Sequence, residues 1–165
     1  MKVLIFGPSG VGKTFIANAW QQAGINAFDA DQIEGLSNWY DRDRKKVTTP
    51  VSADEAAQKQ YAFLWSKKFL ATFLAGHQDV FMLGGSGNIA HVFELFDRVF
   101  FLKIDPQLQR DRLLSPLRPM PYLDFDEQGE LVIWGSWFEE LAKERHIPFI
   151  DASLSPAAIY HIVSQ

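Results

Sequence analysis

The stretch GPSGVGKT at residues 7–14 directly follows the apolar run VLIF, and it constrains the fold more than any other part of the chain. Three glycines in eight residues pack poorly and are costly in backbone entropy. A short, continuous apolar run that ends at glycine predicts a strand buried on both faces at residues 2–6. Residues 13–22 predict a helix that stops at Gly24. The chain therefore begins with a strand, a glycine-rich loop and a helix.

The glycine-rich loop matches the pattern G-x-x-x-x-G-K-[ST] in full, and its strand and helix are the context that this pattern requires. Backbone N–H groups of such a loop, together with the helix N-terminus, bind oxyanions. Lys13 is then expected to reach β- and γ-phosphates, and the Thr14 hydroxyl to ligate Mg²⁺. We predict ATP and Mg²⁺ as cofactors; the alternative is a glycine-rich turn without a ligand. The predicted nucleotide-binding residues of the loop are Gly7, Pro8, Ser9, Gly10, Val11, Gly12, Lys13 and Thr14.

Strands and helices alternate along the rest of the chain. Apolar runs predict four further strands, at residues 25–31, 79–83, 98–104 and 147–150. Capping residues predict helices that begin near Ser52, Asp105, Ser136 and Ser155, the first of them reaching about Ala75, and a short helix spans about 89–96. Residues 35–51 are expected to be irregular, and residues 123–134 to form two short runs around a turn. The alternation predicts a three-layer α/β/α fold with a five-stranded, mostly parallel sheet, in one domain spanning residues 1–165.

Composition narrows the classes of function. A net charge of −4 argues against general nucleic-acid binding. The chain has no cysteine, which excludes disulfides and thiolate metal sites, and the histidines show no spacing typical of zinc. No apolar stretch approaches the length of a membrane span, and MKVLIF is too short for a signal peptide. We expect a cytoplasmic protein, and the oligomeric state stays open.

Two carboxylates follow the second predicted strand, in FDAD. Asp29 and Asp31 are two residues apart, so on an extended chain their side chains share a face. One of them is expected to hold Mg²⁺, and the other to contact or deprotonate an acceptor hydroxyl. Asp29 comes first after the strand and is the first choice for the metal, with Asp31 as the first choice for the acceptor; which of the two faces the metal stays open, and both are expected at the acceptor site. The alternative is a solvated turn that caps the next segment.

Taken together, GPSGVGKT, FDAD, GGSGN, LRPM and IDASLSPAAI resemble the small P-loop kinases, in particular the shikimate kinase and gluconate kinase branch, over nearly the whole chain. This resemblance implies transfer of the ATP γ-phosphoryl group to a small-molecule acceptor. It also implies the metal and acceptor roles for Asp29 and Asp31, and an acceptor pocket lined by glycines after the third strand. These glycines are Gly84, Gly85 and Gly87. The arginine and glutamate pattern that grips shikimate is absent here, so the acceptor is not named.

The resemblance further implies residues around the nucleotide. Arg118 lies in an RP context and matches a lid arginine that touches the phosphates, in a lid of about residues 115–135. Arg112 is the nearest match to an arginine that packs on adenine, with Arg110 as the second choice. The segment after the fifth strand matches one that cups the base, through Asp151 and Ser153.

Other features allow two interpretations each. The run DRDRKK at residues 41–46 is either a solvated loop or an anion-binding segment, and Trp39 with Tyr40 either stack on an acceptor ring or pack internally. Asn88 is expected to cap the short helix or, failing that, to touch the acceptor, and His91 to be structural. Besides a small-molecule kinase, the sequence is compatible with a nucleoside or nucleotide kinase and with a nucleotide-dependent regulatory switch.

Overall fold

The computed structural model describes residues 1–116 and 124–165. In chain order its elements are β1 (Lys2–Phe6), α1 (Lys13–Gln22), β2 (Ala27–Asp29), β3 (Ser37–Tyr40), β4 (Lys46–Val47), α2 (Ala53–Gln58), β5 (Ala62–Trp65), α3 (Lys67–Ala75), β6 (Val80–Gly84), β7 (Arg98–Lys103), α4 (Pro106–Leu113), α5 (Phe138–Glu144), β8 (Phe149–Asp151) and α6 (Pro156–Val163). Two 3₁₀ helices, Ala30–Gln32 and Ile89–Leu95, follow β2 and β6.

The main sheet has five strands in the order β2-β6-β1-β7-β8, and every neighbouring pair is parallel. Alternate residues of β1 pack into two different hydrophobic cores, one on each face of the sheet. Val3 and Ile5 pack on the side of α1 and α6, whereas Leu4 and Phe6 pack on the side of α3 and α5. The sheet is therefore covered on both faces, and the predicted three-layer α/β/α P-loop fold is confirmed.

A second, three-stranded antiparallel sheet in the order β4-β3-β5 was not predicted. It contains residues expected to be irregular and residues expected to be helical. The single helix predicted from Ser52 to Ala75 is wrong, because the chain forms α2, β5 and α3 there. Gln60 has φ +53°, which no helix continues, and Ala62 to Trp65 then pair with β3. The apolar residues Tyr61, Leu64 and Trp65 thus mark the strand region and not a helical stripe.

The cap predictions have mixed outcomes. Ser52, Asp105 and Ser155 each accept backbone N–H groups of the helix that follows, as predicted. Ser136 does not cap α5, which begins at Phe138 after Trp137 and has no side-chain cap. The turn expected within residues 123–134 is present as an antiparallel bridge between Phe125 and Leu131. No helix in the two described ranges has the length and apolar character needed to cross a bilayer.

Candidate active site

The C-terminal ends of three neighbouring strands lie level with one another. Ile5 of β1 is in register with Leu83 of β6, and Leu83 with Asp29 of β2. Since neighbouring strands are about 4.8 Å apart, the Cα atom of Asp29 lies on the order of 10 Å from that of Ile5. The loop at residues 7–14 begins two residues after Ile5. In open parallel sheets ligands bind at this edge.

Glycine is required at two positions of the loop for reasons of geometry. Gly10 and Gly12 have φ +83° and +96°, in the left-handed region that side chains disfavour. A Cβ atom on Gly10 would also lie 2.9 Å from Cγ of Leu113 in α4. The same helix fixes the loop through Gln109, whose Nε2 donates to the carbonyl of Ser9 at 2.7 Å. The glycine backbone angles therefore set the conformation of the loop, and α4 packs against the loop and binds it.

Two features of the loop fit a phosphate group. The N-terminus of α1 follows Gly12, has no side-chain cap, and carries no acidic residue in its first turn, so its positive end is not neutralised locally. The hydroxyl of Ser9 is buried and finds no hydrogen-bond partner within residues 1–116 and 124–165. Such an unpaired buried group costs about 1–3 kcal/mol, which a phosphate oxygen as acceptor would relieve. The residues present fit the triphosphate that the sequence predicts.

Lys13 folds back over the loop. Its Nζ donates to the carbonyls of Gly7 and Pro8 at 2.8 and 2.9 Å. The ammonium group is thus held at the start of the loop. In loops of this pattern the lysine reaches the β- and γ-phosphates, so a γ-phosphate is expected at the start of the loop, which we call its γ-phosphate end.

The two aspartates differ in environment. Asp29 is 4% exposed, and its Oδ1 accepts from the N–H of Asp31 at 3.0 Å. Asp29 therefore caps the 3₁₀ helix Ala30–Gln32, as the alternative predicted, but it is buried there and not solvated. Asp31 lies in this turn and not on an extended strand, so the expectation of a shared strand face is wrong.

Asp31 lies near Lys13 and lines a cleft. The residue is exposed, with neighbouring protein groups close enough to displace part of the water around its carboxyl group. This desolvation raises the pKa of Asp31 above its ordinary value, the nearby Lys13 ammonium lowers it, and the Asp29 carboxylate raises it further. The net direction is upward, which makes the Asp31 carboxylate a stronger base than an exposed aspartate.

The cleft next to Asp31 has a volume of about 500 Å³. It is formed by the turn after β2 and by the small antiparallel sheet. Its lining residues are Asp31, Ser37, Asn38, Trp39, Lys46, Val47, Thr48, Thr49 and Phe63. Of the run DRDRKK, only Lys46 lines the cleft. Trp39 is 9% exposed and packs on Phe63 at 5.4 Å between ring centroids, so it is both packed internally and part of the cleft wall.

The glycines after β6 have neighbours that a side chain would meet. A Cβ atom on Gly84 would lie 2.5 Å from Cβ of Ala30 and 2.6 Å from Cζ2 of Trp65, and one on Gly85 would lie 2.8 Å from Cε2 of Phe138. Gly87 has the backbone of Phe63 at 3.2 Å. These contacts give packing reasons for glycine, and the role of the three residues in acceptor binding stays a prediction.

Asn88 does not cap the 3₁₀ helix that follows it. Its Oδ1 instead accepts from the N–H of Trp65 at 2.9 Å, and its Nδ2 donates to the carbonyl of Trp65 at 3.0 Å. The hydroxyl of Ser86 also donates to Oδ1 of Asn88 at 2.9 Å. The side chain thus pairs with the end of β5 as a neighbouring strand would, and it ties the small sheet to the edge of the main sheet.

Arg112 bridges the loop at residues 7–14 and the segment after β8 that is predicted to border the base of the nucleotide. Its guanidinium donates to the carbonyl of Val11 at 3.0 Å and to that of Ala152 at 3.3 Å. Asp151 accepts from the N–H of Ser153 at 2.8 Å, and this bond lowers the pKa of Asp151. Arg110 is exposed. Arg118 lies outside the described residues, as does part of the predicted lid.

Thr14 and Asp29 are the residues assigned to Mg²⁺. Thr14 is exposed at the first turn of α1, and Asp29 ends β2. No group of three or more His, Cys, Asp or Glu side chains in the described part of the chain is arranged to hold a metal by itself. The assignment of Thr14 and Asp29 to Mg²⁺ stays a prediction.

Sequence reasoning missed two residues that contact the loop. Gln109 belongs to no sequence motif. The available signal was its position, one turn into the helix that begins at Asp105-Pro106. Trp134 accepts the N–H of Ser9 through its carbonyl at 2.8 Å. A backbone acceptor has no sequence signal.

The sheet order and the loop define a P-loop α/β/α fold with an adjoining antiparallel sheet. Two solved structures are similar to the chain over most of its length. One is a gluconokinase from Sinorhizobium meliloti 1021, with 14% identity, covering 97% of this chain and 87% of that chain, at a TM-score of 0.44. The other is an unliganded sugar kinase from Janibacter sp. HTCC2649, with 17% identity, covering 96% and 89%, at a TM-score of 0.46.

No family model matches the sequence, and no curated protein matches it. The assignment of the fold stands on the chain's own topology and loop geometry, since both similarities are distant.

Proposed function

We propose that the protein is a phosphotransferase that moves the γ-phosphoryl group of ATP, with Mg²⁺, to a hydroxyl of a small molecule bound in the 500 Å³ cleft. One observation carries this proposal. Lys13 lies between the phosphate loop, whose carbonyls it contacts, and Asp31, whose pKa it lowers and which lines the cleft. The proposed ATP site and the proposed acceptor site are therefore adjacent at the Lys13 ammonium and the Asp31 carboxylate.

Each residue of the site has a proposed chemical role in the transfer. The loop N–H groups and Lys13 would bind the phosphates and offset the negative charge that develops during transfer. Mg²⁺, held through Thr14 and Asp29, would supply further charge neutralisation. Asp31 would accept the proton of the acceptor hydroxyl or orient that hydroxyl, and its raised pKa suits either task. Arg112, Asp151 and Ser153 would border the adenine, and Arg118 would approach the phosphates from the lid.

The polar lining of the cleft fits a small hydroxylated acceptor. Ser37, Asn38, Thr48 and Thr49 offer hydroxyl and amide groups, and Trp39 and Phe63 offer apolar wall. The first experiment is incubation of the protein with labelled ATP, Mg²⁺ and a panel of sugars, polyols and nucleosides. We expect a labelled small product from at least one hydroxylated compound. A labelled nucleoside would instead identify a nucleoside kinase, and hydrolysis without any labelled product would favour a regulatory switch.

Two variants test the division of labour between the aspartates. Asp29→Asn should impair every Mg²⁺-dependent activity, including slow ATP hydrolysis without acceptor. Asp31→Asn should keep that hydrolysis and reduce transfer by about 10²-fold or more, since a positioned base contributes on this scale. Equal loss of hydrolysis in both variants would refute the division. Intact transfer in Asp31→Asn would place the acceptor elsewhere.

A further inference from the structure

A short segment after the hairpin crosses the site. We call residues 131–135 the strap. At one end Leu131 bridges Phe125, and the N–H of Val132 donates to the carbonyl of Asp124 at 2.8 Å. At the other end Gly135 turns with φ +76°. The segment that follows Gly135 is anchored through Phe138, which is 5% exposed and packs on Phe6 with ring centroids 5.6 Å apart.

The strap contacts the γ-phosphate end of the loop. The carbonyl of Trp134 accepts the N–H of Ser9 at 2.8 Å, immediately beyond the Gly7 and Pro8 carbonyls that hold the Lys13 ammonium. The Ser9 hydroxyl has no partner among the described residues. The N–H of Ser9 is thus bound to a neutral carbonyl oxygen and its hydroxyl to no described residue, at the place where a charged phosphate oxygen would accept from both.

The side chain of the same residue contacts the acceptor cleft. The indole of Trp134 packs edge-to-face on that of Trp39, with ring centroids 5.8 Å apart and an angle of 77°. Trp39 forms part of the cleft wall. Trp134 also lines a smaller cleft of about 330 Å³ next to α2. Backbone and side chain of one residue therefore contact the two halves of the site.

We propose that Trp134 is a positioning residue that couples the γ-phosphate end of the loop to the acceptor cleft, an inference that rests on the proposed function. Without nucleotide, the carbonyl of Trp134 accepts a hydrogen bond from the N–H of Ser9, and the indole of Trp134 packs on Trp39. The γ-phosphate of a triphosphate accepts the hydrogen bond from this N–H and so displaces the strap. The displaced strap shifts Trp39, which forms part of the wall of the acceptor cleft. A diphosphate does not reach Ser9 and leaves the strap in place. Because coupling is reciprocal, an acceptor that moves Trp39 alters the affinity for the γ-phosphate by the same factor.

The test compares ADP with a non-hydrolysable ATP analogue, each with Mg²⁺, by calorimetry. Trp134→Ala removes the aromatic contact that holds the strap over Ser9. Its affinity for the analogue should rise about threefold to tenfold, the range expected from an edge-to-face aromatic pair, with the affinity for ADP unchanged. Trp134→Phe keeps an aromatic edge and should behave as wild type. Trp137→Ala is the matched control, since Trp137 is 46% exposed and its ring contacts Phe138 and not Trp39.

Hydrogen exchange on the wild type provides a test that needs no variant. The analogue, but not ADP, should change the exchange of residues 131–135. An unchanged ratio of analogue to ADP affinity in Trp134→Ala, or equal exchange with both nucleotides, would overturn the coupling while leaving the phosphotransferase proposal intact. Absence of binding of either nucleotide to the wild type would overturn the proposed function itself.

Discussion

At the scale of single residues, the surroundings of Asp31 disfavour its ionised form. Its folded-state pKa is raised above 3.8, so ionisation opposes folding. The contribution of Asp31 to stability is therefore present below pH 3.8 and is lost as the pH rises through its folded pKa. Asp31→Asn cannot ionise, and we expect it to melt at a higher temperature than the wild type at neutral pH, with the difference vanishing towards acid pH. Thermal melts from about pH 3 to pH 8 measure this, because they reach below the ordinary pKa of an aspartate.

Asp151 supplies a control of opposite sign. The N–H of Ser153 lowers its pKa, so its ionised form favours the folded state, and Asp151→Asn should melt lower than the wild type at neutral pH and approach it as the pH falls. A lower melting temperature for Asp31→Asn at neutral pH would contradict the effect of desolvation inferred here. Loss of transfer together with gain of stability in one variant is the signature of a functional group.

At the scale of elements, the sequence predicts best where a local signal decides the structure. The phosphate loop, the caps at Ser52, Asp105 and Ser155, and the buried parallel strands were all predicted, because each depends on residues close in sequence. The small antiparallel sheet was not, since β5 pairs with β3 and is bound by Gly87 and Asn88, the second of which lies 23 residues beyond Trp65. Asp29 lies at the end of β2 and Lys13 at the start of α1, as the sequence predicts, whereas Asp31 lies in a turn, and the cleft and Trp134 depend on the unpredicted sheet.

Asn88 is therefore expected to matter for the stability of this element. Asn88→Ala removes two hydrogen bonds to the backbone of Trp65, a residue that is 2% exposed, and leaves its N–H and carbonyl unpaired. We expect a loss of about 2–3 kcal/mol in the free energy of unfolding, measured in urea. Asn18→Ala, on the exposed face of α1, is the control and should change stability by less than about 0.5 kcal/mol. Equal effects of the two substitutions would show that Asn88 does not hold β5.

At the scale of the whole molecule, the phosphate loop links ligand binding to global stability. β1 and α1 flank the loop, and α4 supports it through Gln109 and Leu113, so a ligand held there contacts a frame that spans both cores. A ligand that binds only the folded state stabilises it by about 2.7 kcal/mol at a concentration 100-fold above its Kd. For a chain of this length, this corresponds to a rise in Tm of roughly 5–10 °C.

We therefore expect millimolar ATP with Mg²⁺ to raise the Tm by several degrees, measured by calorimetry. Adenosine with Mg²⁺ is the matched control, because it offers the base and ribose to Arg112 and Asp151 but no phosphate to the loop. It should raise the Tm far less, since the loop donors and Lys13 stay without their ligand. Equal shifts with ATP and adenosine would mean that the base site dominates binding. No change in Tm with either compound would mean that the protein does not bind a nucleotide, and the loop at residues 7–14 would then be a glycine-rich turn.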